Sequence, residues 1–445
     1  MYRFTDDGEL AHGDERAKCG GGRGGWNKRQ LAGFIHALEP SLPPRATARL
    51  NKAAMCSLIR RLARTDDLSD AHLDHRLADL DRFVRTLGFD DGDRTVARLE
   101  LGERPTSRAA HVCLPRAASG YRMKLLSPGQ SGSAVALFTR RKHQPVVCKA
   151  AAVPDRTLDG GAGLVDAMEG REAYMHAEAT QRLLLDRASP GVVAHGVSYL
   201  CPGRAVNGAL KLRPSSRRTL TLVTMMERGA HTLYDELRSG SLSHDDDYRR
   251  VLFRTLHALA CWRQKMPGAR HNDLHTQNVM MVRAPSQSHD VFEMAGDEVY
   301  YVPPAAYIPA LFDFGHAQAR GTPYREFEGK YGMSAAPDGG YYDLHTLFNN
   351  LLRVVRQYEH ELPPETAAFV DRVVPEAARV PHNDGTHGRL WRGKPTATAD
   401  QARIFDRMAR GEVARRLMKS DAYFASYREP PAGGPPAAAN VWKLQ

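Results

Sequence analysis

Apolar residues recur at helical spacing in two short stretches near the start of the chain, Trp26–Leu38 and Leu50–Leu62. This spacing places them on one face of an amphipathic helix. The segment between the two stretches contains several prolines and is predicted to be extended. A third helical pattern covers Ala71–Leu87, so we expect a helical N-terminal extension over residues 26–120. Residues 1–25 are polar and Gly-rich, which predicts disorder.

The hydrophobic pattern changes near Tyr121. Strand-like runs separated by Gly and Pro follow, first KLLSPGQSGSAVALF and then PVVCKAAAV. A long helical run extends from about Val165 to Arg187, and helical patterns predominate after Leu233. Strands followed by helices predict an α+β fold. The C-terminal stretch 429–445 is rich in Pro, Gly and Ala and is predicted to be a tail.

Composition narrows the class of protein only slightly. The chain has 445 residues, 42% of them hydrophobic, and a formal net charge of +11. This charge favours anionic partners, although it is equally consistent with simple solubility. The N-terminus does not resemble a secretory signal and no apolar run is long enough to span a bilayer, so we expect a soluble intracellular protein. The six cysteines form no CxxC pair and are predicted to be free thiols: Cys19, Cys56, Cys113, Cys148, Cys201 and Cys261.

The first candidate for chemistry is the segment His271–Asn278, with the sequence HNDLHTQN, which follows an amphipathic helical pattern. Phosphoryl transfer needs a carboxylate near the acceptor hydroxyl and an oxygen ligand for the metal ion on the phosphates. Asp273 and Asn278 lie five positions apart on a predicted tight loop and could supply both. The alternative interpretation is an ordinary loop between two helices.

A second candidate is Asp313, in the sequence LFDFG. It follows a strand-like apolar run, AYIPALF. A carboxylate there could bind the Mg²⁺ ion on the β and γ phosphates, and Gly315 would allow the chain to turn sharply. The combination of this motif with the loop at Asp273 indicates one nucleotide site.

Two further elements lie upstream. Lys149 ends the strand-like run PVVCK, where it could pair with the α and β phosphates, or be an exposed charge. The segment GQSG, which contains Gly129, Gln130 and Gly132, could bring backbone amides close to phosphates, or be a plain turn. All four elements occur in the order that one nucleotide cleft requires.

Over about Tyr121–Arg428 these motifs resemble the protein-kinase superfamily. The resemblance implies a bilobal fold, with a β-rich N-lobe over 121–230 and a helical C-lobe over 231–428. It also implies ATP and Mg²⁺ as cofactors. For catalysis the resemblance implies Lys149 as the phosphate-pairing lysine, Asp273 as the catalytic base, and Asn278 and Asp313 as Mg²⁺ ligands. For nucleotide binding it implies Gly129, Gln130 and Gly132 as the glycine-rich loop, Ala134 and Val147 as lining of the adenine pocket, and Met226 and Glu227 as the start of the hinge that holds adenine. Asp343 would brace the catalytic loop.

Within that superfamily the chain resembles the serine/threonine kinases of large DNA viruses, of the poxvirus and giant-virus type. The features shared are HNDLHTQNVM, YYDLHTLFNNLL and an insertion at about 282–308 before DFG. Inside the insertion, EVYYV and AYIPALF could pair as a hairpin. The resemblance implies a protein substrate with a serine or threonine acceptor. A viral protein of this kind would act in the host cytoplasm or the virion.

Three departures from the family pattern leave questions open. His275 stands where these kinases usually have a lysine, and D-L-H also resembles aminoglycoside and choline phosphotransferases. No APE motif follows DFG, and together with D-L-H this makes a small-molecule phosphotransferase the alternative function. A pseudokinase is a third hypothesis, against which the intact Lys149, Asp273, Asn278 and Asp313 argue. The glutamate that pairs with Lys149 is either Glu172 or Glu178. Glu172 has the better helical face, but Glu178 has the better distance to the turn at Pro190, and we expect Glu178.

The two N-terminal helical stretches resemble the SAP-type module, which binds DNA in other proteins. The resemblance depends on Lys28, Leu31, Lys52 and Leu58 and on their spacing. It implies nucleic-acid contact through residues 26–65. The alternative is a structural cap on the catalytic domain.

Overall fold

The computed structural model describes the chain in segments. They are residues 2–4, 9–12, 15–18, 31–32, 55, 68–86, 121–127, 133–140, 143–154, 168–203, 206, 219–283, 289–296, 298–320, 340–379, 411–432 and 439–444. The chain divides into two compact units. The first comprises Met1–His72 with Pro436–Asn440, and the second comprises Leu73–Pro435 with Val441–Gln445.

In the first unit, three short strands form an antiparallel sheet in the order β1-β2-β3. The strands are Tyr2–Phe4 (β1), Glu9–His12 (β2) and Glu15–Lys18 (β3). They lie in the stretch 1–25, where the sequence predicts disorder. Backbone pairing does not require apolar side chains, so a polar composition did not reveal it. Most of the SAP-like stretch 26–65 lies outside the described residues.

The main sheet belongs to the second unit and contains five antiparallel strands in the order β4-β5-β6-β8-β7. The strands are Arg122–Ser127 (β4), Ser133–Thr139 (β5), Val146–Pro154 (β6), His195–Pro202 (β7) and Thr219–Glu227 (β8). Side chains alternate between the two faces of each strand. We call the face of β6 with Val147, Lys149 and Ala151 the inner face, and the face with Cys148 and Ala150 the outer face.

The outer face is covered by helix α1, Leu68–Thr86. Leu80, Phe83 and Val84 are buried there, at the spacing of one helical face. The Phe83 ring lies 4.7 Å from the ring of Tyr121 and 5.0 Å from that of Phe138. A Cβ atom at Gly196 would come within 2.9 Å of Leu80 Cδ1, so the absence of a side chain there allows the helix to approach β7.

The inner face packs against helix α2, Met168–Ala179, which continues as a π-helical segment over Thr180–Leu185. Val153, Ala173 and Leu222 form a buried apolar cluster between this helix and the sheet. The long helical run predicted from about Val165 to Arg187 is therefore present, with a change of helix type near its end.

Helices dominate the rest of the second unit. They are Leu233–Ser239 (α3), Asp245–Lys265 (α4), Tyr341–Gln357 (α5), Pro364–Val373 (α6) and Val413–Ser420 (α7). Their apolar faces meet around Phe253, Phe348 and Phe369, all fully buried. The expected mixture of helices and antiparallel sheets, an α+β fold, is confirmed. Among the helices described, none has the length and apolar character needed to cross a membrane.

Strands β10 (Val279–Arg283) and β13 (Tyr307–Leu311) lie at the two ends of the predicted insertion and β11 (His289–Met294) and β12 (Glu298–Val302) lie inside it, and the expected hairpin of EVYYV with AYIPALF is wrong. Strand β10 pairs with β13 and with the short strand β9, His231–Thr232. Strand β11 pairs with β12. EVYYV therefore pairs with the strand before it, and not with AYIPALF. A short turn at Gly296, whose φ is 83°, allows that nearer pairing.

The predicted tail also contains ordered structure. A last strand, β14 (Ala439–Lys443), extends the sheet of the insertion in the order β12-β11-β14. Trp442 is fully buried, and its indole Nε1–H lies 3.4 Å from Asp290 Oδ1. The residues before NVWK are rich in Pro, Gly and Ala, and this composition led to the prediction of a tail where NVWK belongs to a strand.

The described cysteines differ in state. Cys148 and Cys261 are buried free thiols, as expected. The expectation is wrong for Cys201, which is disulfide-bonded. Spacing along the sequence did not reveal this bond because a disulfide depends on the approach of two residues in three dimensions.

Candidate active site

Lys149 is the centre of a charged cluster on the inner face. Its Nζ donates to both carboxylate oxygens of Glu172, each at 2.6 Å, and lies 3.5 Å from Asp313 Oδ1. Strand β6 directs the lysine towards α2 because position 149 has the same parity as Val147 and Ala151. The sheet, the helix and the segment after β13 therefore meet at one ammonium group.

The expectation that Glu178 pairs with Lys149 is wrong. Glu178 instead lies 3.5 Å from Arg182, one turn further along the same helical run. Six residues separate Glu172 from Glu178, which rotates the second side chain about a third of a turn away from the first. The helical face of apolar residues that favoured Glu172 was a more accurate criterion than the distance to Pro190. It indicates which side of the helix faces the sheet, and the distance does not.

Burial and charge shift the three groups in different directions. Burial lowers the pKa of Lys149, but Glu172 and Asp313 together outweigh it, and the net result is a raised pKa. Burial raises the pKa of Glu172 to about 7 against the opposing effect of the Lys149 ammonium. Burial also raises the pKa of Asp313, but the charges of Lys149 and of nearby histidines bring it below the usual value. Asp313 is therefore the carboxylate held most firmly in its charged form.

Asp313 and Asn278 are brought together by the pairing of β10 with β13. Val279 is opposite Leu311, so the residues just before β10 and just after β13 lie side by side. The Phe312 backbone N–H donates to the Asn278 carbonyl at 3.1 Å. Asp313 has a left-handed backbone, with φ of 62°, which Asp tolerates better than most residues.

The catalytic loop is held from below by helix α5. Asp343 accepts hydrogen bonds from the backbone N–H groups of His271 and Asn272, both at 2.8 Å. Asn350, two turns along the same helix, accepts from the N–H and the hydroxyl of Thr276. The structure thus shows the brace that the resemblance implied for Asp343. Asn350 was not predicted, although its two-turn spacing from Asp343 in YYDLHTLFNNLL was a signal.

Asp273 is 8% exposed, and burial raises the pKa of its carboxyl. Its Oδ2 lies 3.7 Å from His275 Nε2, so the unusual histidine of D-L-H is adjacent to the candidate base. The backbone carbonyl of Asp273 accepts from Asn278 Nδ2 at 2.8 Å. That bond fixes the amide group of Asn278 and leaves its oxygen as the atom available to a cation.

Aromatic rings connect this loop to helix α2. The Phe314 ring lies 5.4 Å from the rings of both His176 and His271, and 5.3 Å from that of Trp262. Burial lowers the pKa of His176 to about 4, so its ring is neutral near pH 7. His176 Nε2 hydrogen-bonds to the Val193 carbonyl at 2.7 Å. No motif in the sequence indicated His176.

An apolar cluster adjoins the charged groups. Val193, Met226, Val282, Ile308 and Ala310 are buried together, and Val147, Met280 and Phe312 pack against them. Val147 and Met226 lie opposite each other on β6 and β8, on the inner face. These two residues therefore share the inner face with Lys149.

Ala134, which was predicted to line the adenine pocket, lies on the outer face instead. Ala134 is opposite Ala150, and its side chain joins the large core beneath α1. Val135 takes the inner position, opposite Lys149. Glu227 is opposite Val146, and its carboxylate binds Arg76 of α1. A shift of one residue along a strand reverses the face, and motif spacing through a loop cannot determine it to that accuracy.

The remaining predicted residues of the glycine-rich loop, Gly129, Gln130 and Gly132, lie outside the described residues. So does the stretch 321–339, which follows DFG. The structure therefore neither supports nor contradicts their predicted roles.

The site fits Mg²⁺ by the chemistry of its donors. Asp313 and Asn278 offer a carboxylate oxygen and an amide oxygen, both of the hard type that Mg²⁺ prefers. Magnesium in nucleotide sites is held by one or two protein oxygens plus phosphates and water, not by a complete protein cage. Within the described segments, no cluster of three or more His, Cys, Asp or Glu that could hold a metal ion occurs.

The mixed fold of helices and antiparallel sheets is consistent with a kinase-like protein, and the sequence comparisons agree with it. A protein of Acanthamoeba polyphaga mimivirus, named as a serine/threonine-protein kinase, is 29% identical over 141 residues. Another of Invertebrate iridescent virus 6, also named as a serine/threonine-protein kinase, is 26% identical over 145 residues. The chain thus resembles serine/threonine kinases of large DNA viruses, as the motifs predicted.

These similarities are partial. The matched segments cover 29% and 32% of this chain, and only 30% and 26% of the mimivirus and iridescent-virus proteins. No protein-family model matches the chain. The comparisons support kinase activity in general, and the finer assignments depend on the site itself.

Proposed function

We propose that the protein is an ATP-dependent serine/threonine protein kinase that transfers the γ-phosphate of Mg-ATP to protein hydroxyls. The observation that carries this proposal is the convergence of Lys149, Glu172 and Asp313 at one point of the inner face, next to the loop of Asp273 and Asn278. A positive side chain, an acidic metal ligand and a buried carboxylate at one cleft match the needs of phosphoryl transfer.

Each residue has a separate role in this proposal. Lys149, held by Glu172, pairs with the α and β phosphates. Asp313 and Asn278 hold Mg²⁺, which supplies positive charge to neutralise the phosphates. Asp273 orients the acceptor hydroxyl and accepts its proton, for which a raised carboxyl pKa is favourable.

The lobes of a kinase are proposed over 121–230 and 231–428. Val147 and Met226 would line the adenine pocket, with the hinge beginning at Met226 and the glycine-rich loop at Gly129–Gly132 above the phosphates. The five-stranded sheet with α2 and the helices α3 to α7 support this division. The helical extension 26–120, the insertion and the C-terminal segment would be additions to that core.

One observation favours the alternative acceptor class, that of a small-molecule phosphotransferase. His275, the histidine of D-L-H, lies beside Asp273 in the place where protein kinases usually have a lysine. Against it, the Arg-rich C-terminal half does not suit the cationic substrates of aminoglycoside or choline kinases.

An acceptor screen separates the two. The purified full chain is incubated with Mg²⁺ and labelled ATP, and with casein, a basic protein, or a panel of amino alcohols and aminoglycosides. We expect label on serine or threonine of the proteins. Label only in the small molecules would replace the kinase proposal by the alternative, and ATP binding without any transfer would indicate a pseudokinase.

Nucleic-acid contact through residues 26–65 is a separate proposal that has only the SAP-like sequence pattern behind it. Retention on DNA that weakens with salt and disappears when this segment is deleted would support it. Retention that is unchanged by the deletion would mean that basic residues outside 26–65 bind the DNA. A viral source and action in the host cytoplasm or virion likewise follow only from the resemblance.

A further inference from the structure

Arg76 on helix α1 is a buried cation with four hydrogen bonds. Its Nε and Nη2 donate to the two carboxylate oxygens of Glu227 at 2.8 and 2.6 Å. Its Nη1 donates to the Pro190 carbonyl at 2.7 Å and its Nη2 to the Val192 carbonyl at 2.6 Å. The residue is 4% exposed. The planar fork of a guanidinium suits this bidentate contact, which a lysine could not reproduce.

The two sets of partners of Arg76 belong to different parts of the candidate site. Glu227 ends strand β8, one residue after Met226, where the chain leaves the sheet beside the apolar cluster. Its carboxylate also accepts from the Ala194 N–H at 2.8 Å, and its own N–H donates to the Ala194 carbonyl at 2.9 Å. Arg76 therefore fixes the end of β8 both directly and through the segment 190–194.

The segment 190–194 in turn contacts the strand that carries Asp313. The Val193 N–H donates to the Leu311 carbonyl at 3.1 Å, and the Leu311 N–H donates to the Gly191 carbonyl at 2.9 Å. Helix α2 reaches the same segment through His176 and the Val193 carbonyl. The Arg76 guanidinium thus fixes the end of β8 and a segment that both β13 and α2 contact, and it does so from helix α1.

We propose that Arg76 is a positioning residue for the nucleotide. By fixing Glu227 and the segment 190–194, it sets the place of the backbone that follows Met226 and so the shape of the adenine side of the cleft. Helix α1 precedes the kinase-like region in sequence, and through Arg76 it would then help to shape the ATP site. The inference rests on the proposed function, since it concerns the same cleft.

The effect should appear mainly in ATP affinity. The catalytic loop has its own support from Asp343, which Arg76 does not contact. Once ATP is bound, its contacts hold the adenine side in place, so turnover at saturation should change little. A substitution that raises KM and leaves kcat nearly unchanged has removed binding that the ground state and the transition state share.

The test compares the full-length protein with Arg76→Met and Arg76→Lys. The matched control is Arg82→Met, because Arg82 is on the same helix but is partly exposed and pairs with Asp79 one turn away. ATP Kd is measured by calorimetry and KM and kcat in the acceptor assay. We expect Arg76→Met to raise Kd and KM about tenfold or more, with kcat within about threefold, and the lysine variant to recover only part of the affinity.

Removing one partner of a buried ion pair can unfold a protein, so a second variant is needed. Arg76→Met/Glu227→Met replaces the pair by apolar side chains, which often leaves stability nearly unchanged. The carbonyls of Pro190 and Val192 still lose their donor. We expect a folded protein, by thermal melting, whose ATP Kd remains raised.

The outcomes are distinct. ATP Kd within twofold of the wild-type value, in any folded Arg76 variant lacking the guanidinium, would overturn the positioning role. Failure of all three Arg76 variants to fold would overturn it as well, because the residue would then serve the fold as a whole. A wild-type protein that binds no ATP would instead refute the proposed function.

Discussion

The inner and outer faces of the five-stranded sheet are made by the same strands but have opposite characters. On β6, Lys149 faces inwards to two carboxylates, whereas Cys148, its neighbour, is completely buried under α1, and burial raises its pKa to about 12. The inner face keeps charges partly solvated and close together. The outer face belongs to the apolar core, and the ion pair of Arg76 with Glu227 lies at the edge of that core. Because side chains alternate between the two faces of a strand, neighbouring residues of β6 belong in turn to the charged cluster and to the apolar core.

The largest expected effect comes from removing the charge of the inner face. Lys149→Met should lower kcat/KM for phosphoryl transfer by about 10²–10³-fold or more, because the phosphates lose a preorganised cation. Thermal melting checks that the variant remains folded, because the substitution also removes the cation paired with the buried Glu172. The matched control is Lys124→Met, which removes an exposed lysine from β4. Transfer by Lys149→Met at the wild-type rate would mean that the charged cluster is not the active site.

On the outer face, the main effect should be on stability. Phe83→Ala removes a fully buried ring that contacts Tyr121 and Phe138, and should reduce the free energy of unfolding by about 3–5 kcal/mol. Denaturant titration measures it. Met123→Ala, at an exposed position of β4, should change stability by less than about 0.5 kcal/mol. If both variants lost the same amount, α1 would not be part of the core.

A third substitution sharpens the assignment on α2. Glu172→Gln should lower kcat/KM by about 10–100-fold, since the two-oxygen ion pair that orients Lys149 is replaced by a contact to one neutral amide oxygen. Glu178→Gln is the matched control and should stay within about twofold, because Glu178 contacts only the partly exposed Arg182 among the partners described. The reverse result would restore the original sequence prediction.

The smallest expected effect is a pH dependence of stability from His176. Its folded-state pKa of about 4 lies below the ordinary value of 6.5, so the unfolded chain binds the proton first. Its contribution to stability is complete above pH 6.5 and decreases as the pH falls towards 4. At pH 5.5 the loss relative to pH 7 should be about 1 kcal/mol.

The measurement for His176 is a comparison of wild type with His176→Gln, which retains a donor for the Val193 carbonyl. Denaturant unfolding at pH 7 and pH 5.5 should show the smaller pH dependence in the variant. Buried His257 and His345, each with a pKa lowered to about 3, act in the same direction in both proteins and cancel in the comparison. Equal pH dependence in the two proteins would contradict the burial of a neutral His176.

Local sequence patterns predicted the class of chemistry and the order of the motifs that would carry it. Asp273 with Asn278, and Asp313 before Phe314 and Gly315, are local patterns whose spacing depends on a few consecutive residues. The α+β class followed in the same way, because helical and strand patterns are properties of short windows. The brace at Asp343 was implied by the resemblance to the protein-kinase superfamily.

The tertiary structure decided everything that depended on which way a side chain faces. Whether Glu172 or Glu178 meets Lys149, whether Ala134 or Val135 faces the cleft, and where Glu227 points are questions of helix rotation and strand register. The partner of EVYYV and the burial of Trp442 depend likewise on segments distant in sequence. Rotation and register are fixed only when elements pack, since one residue of shift reverses a strand and turns a helix by about 100°.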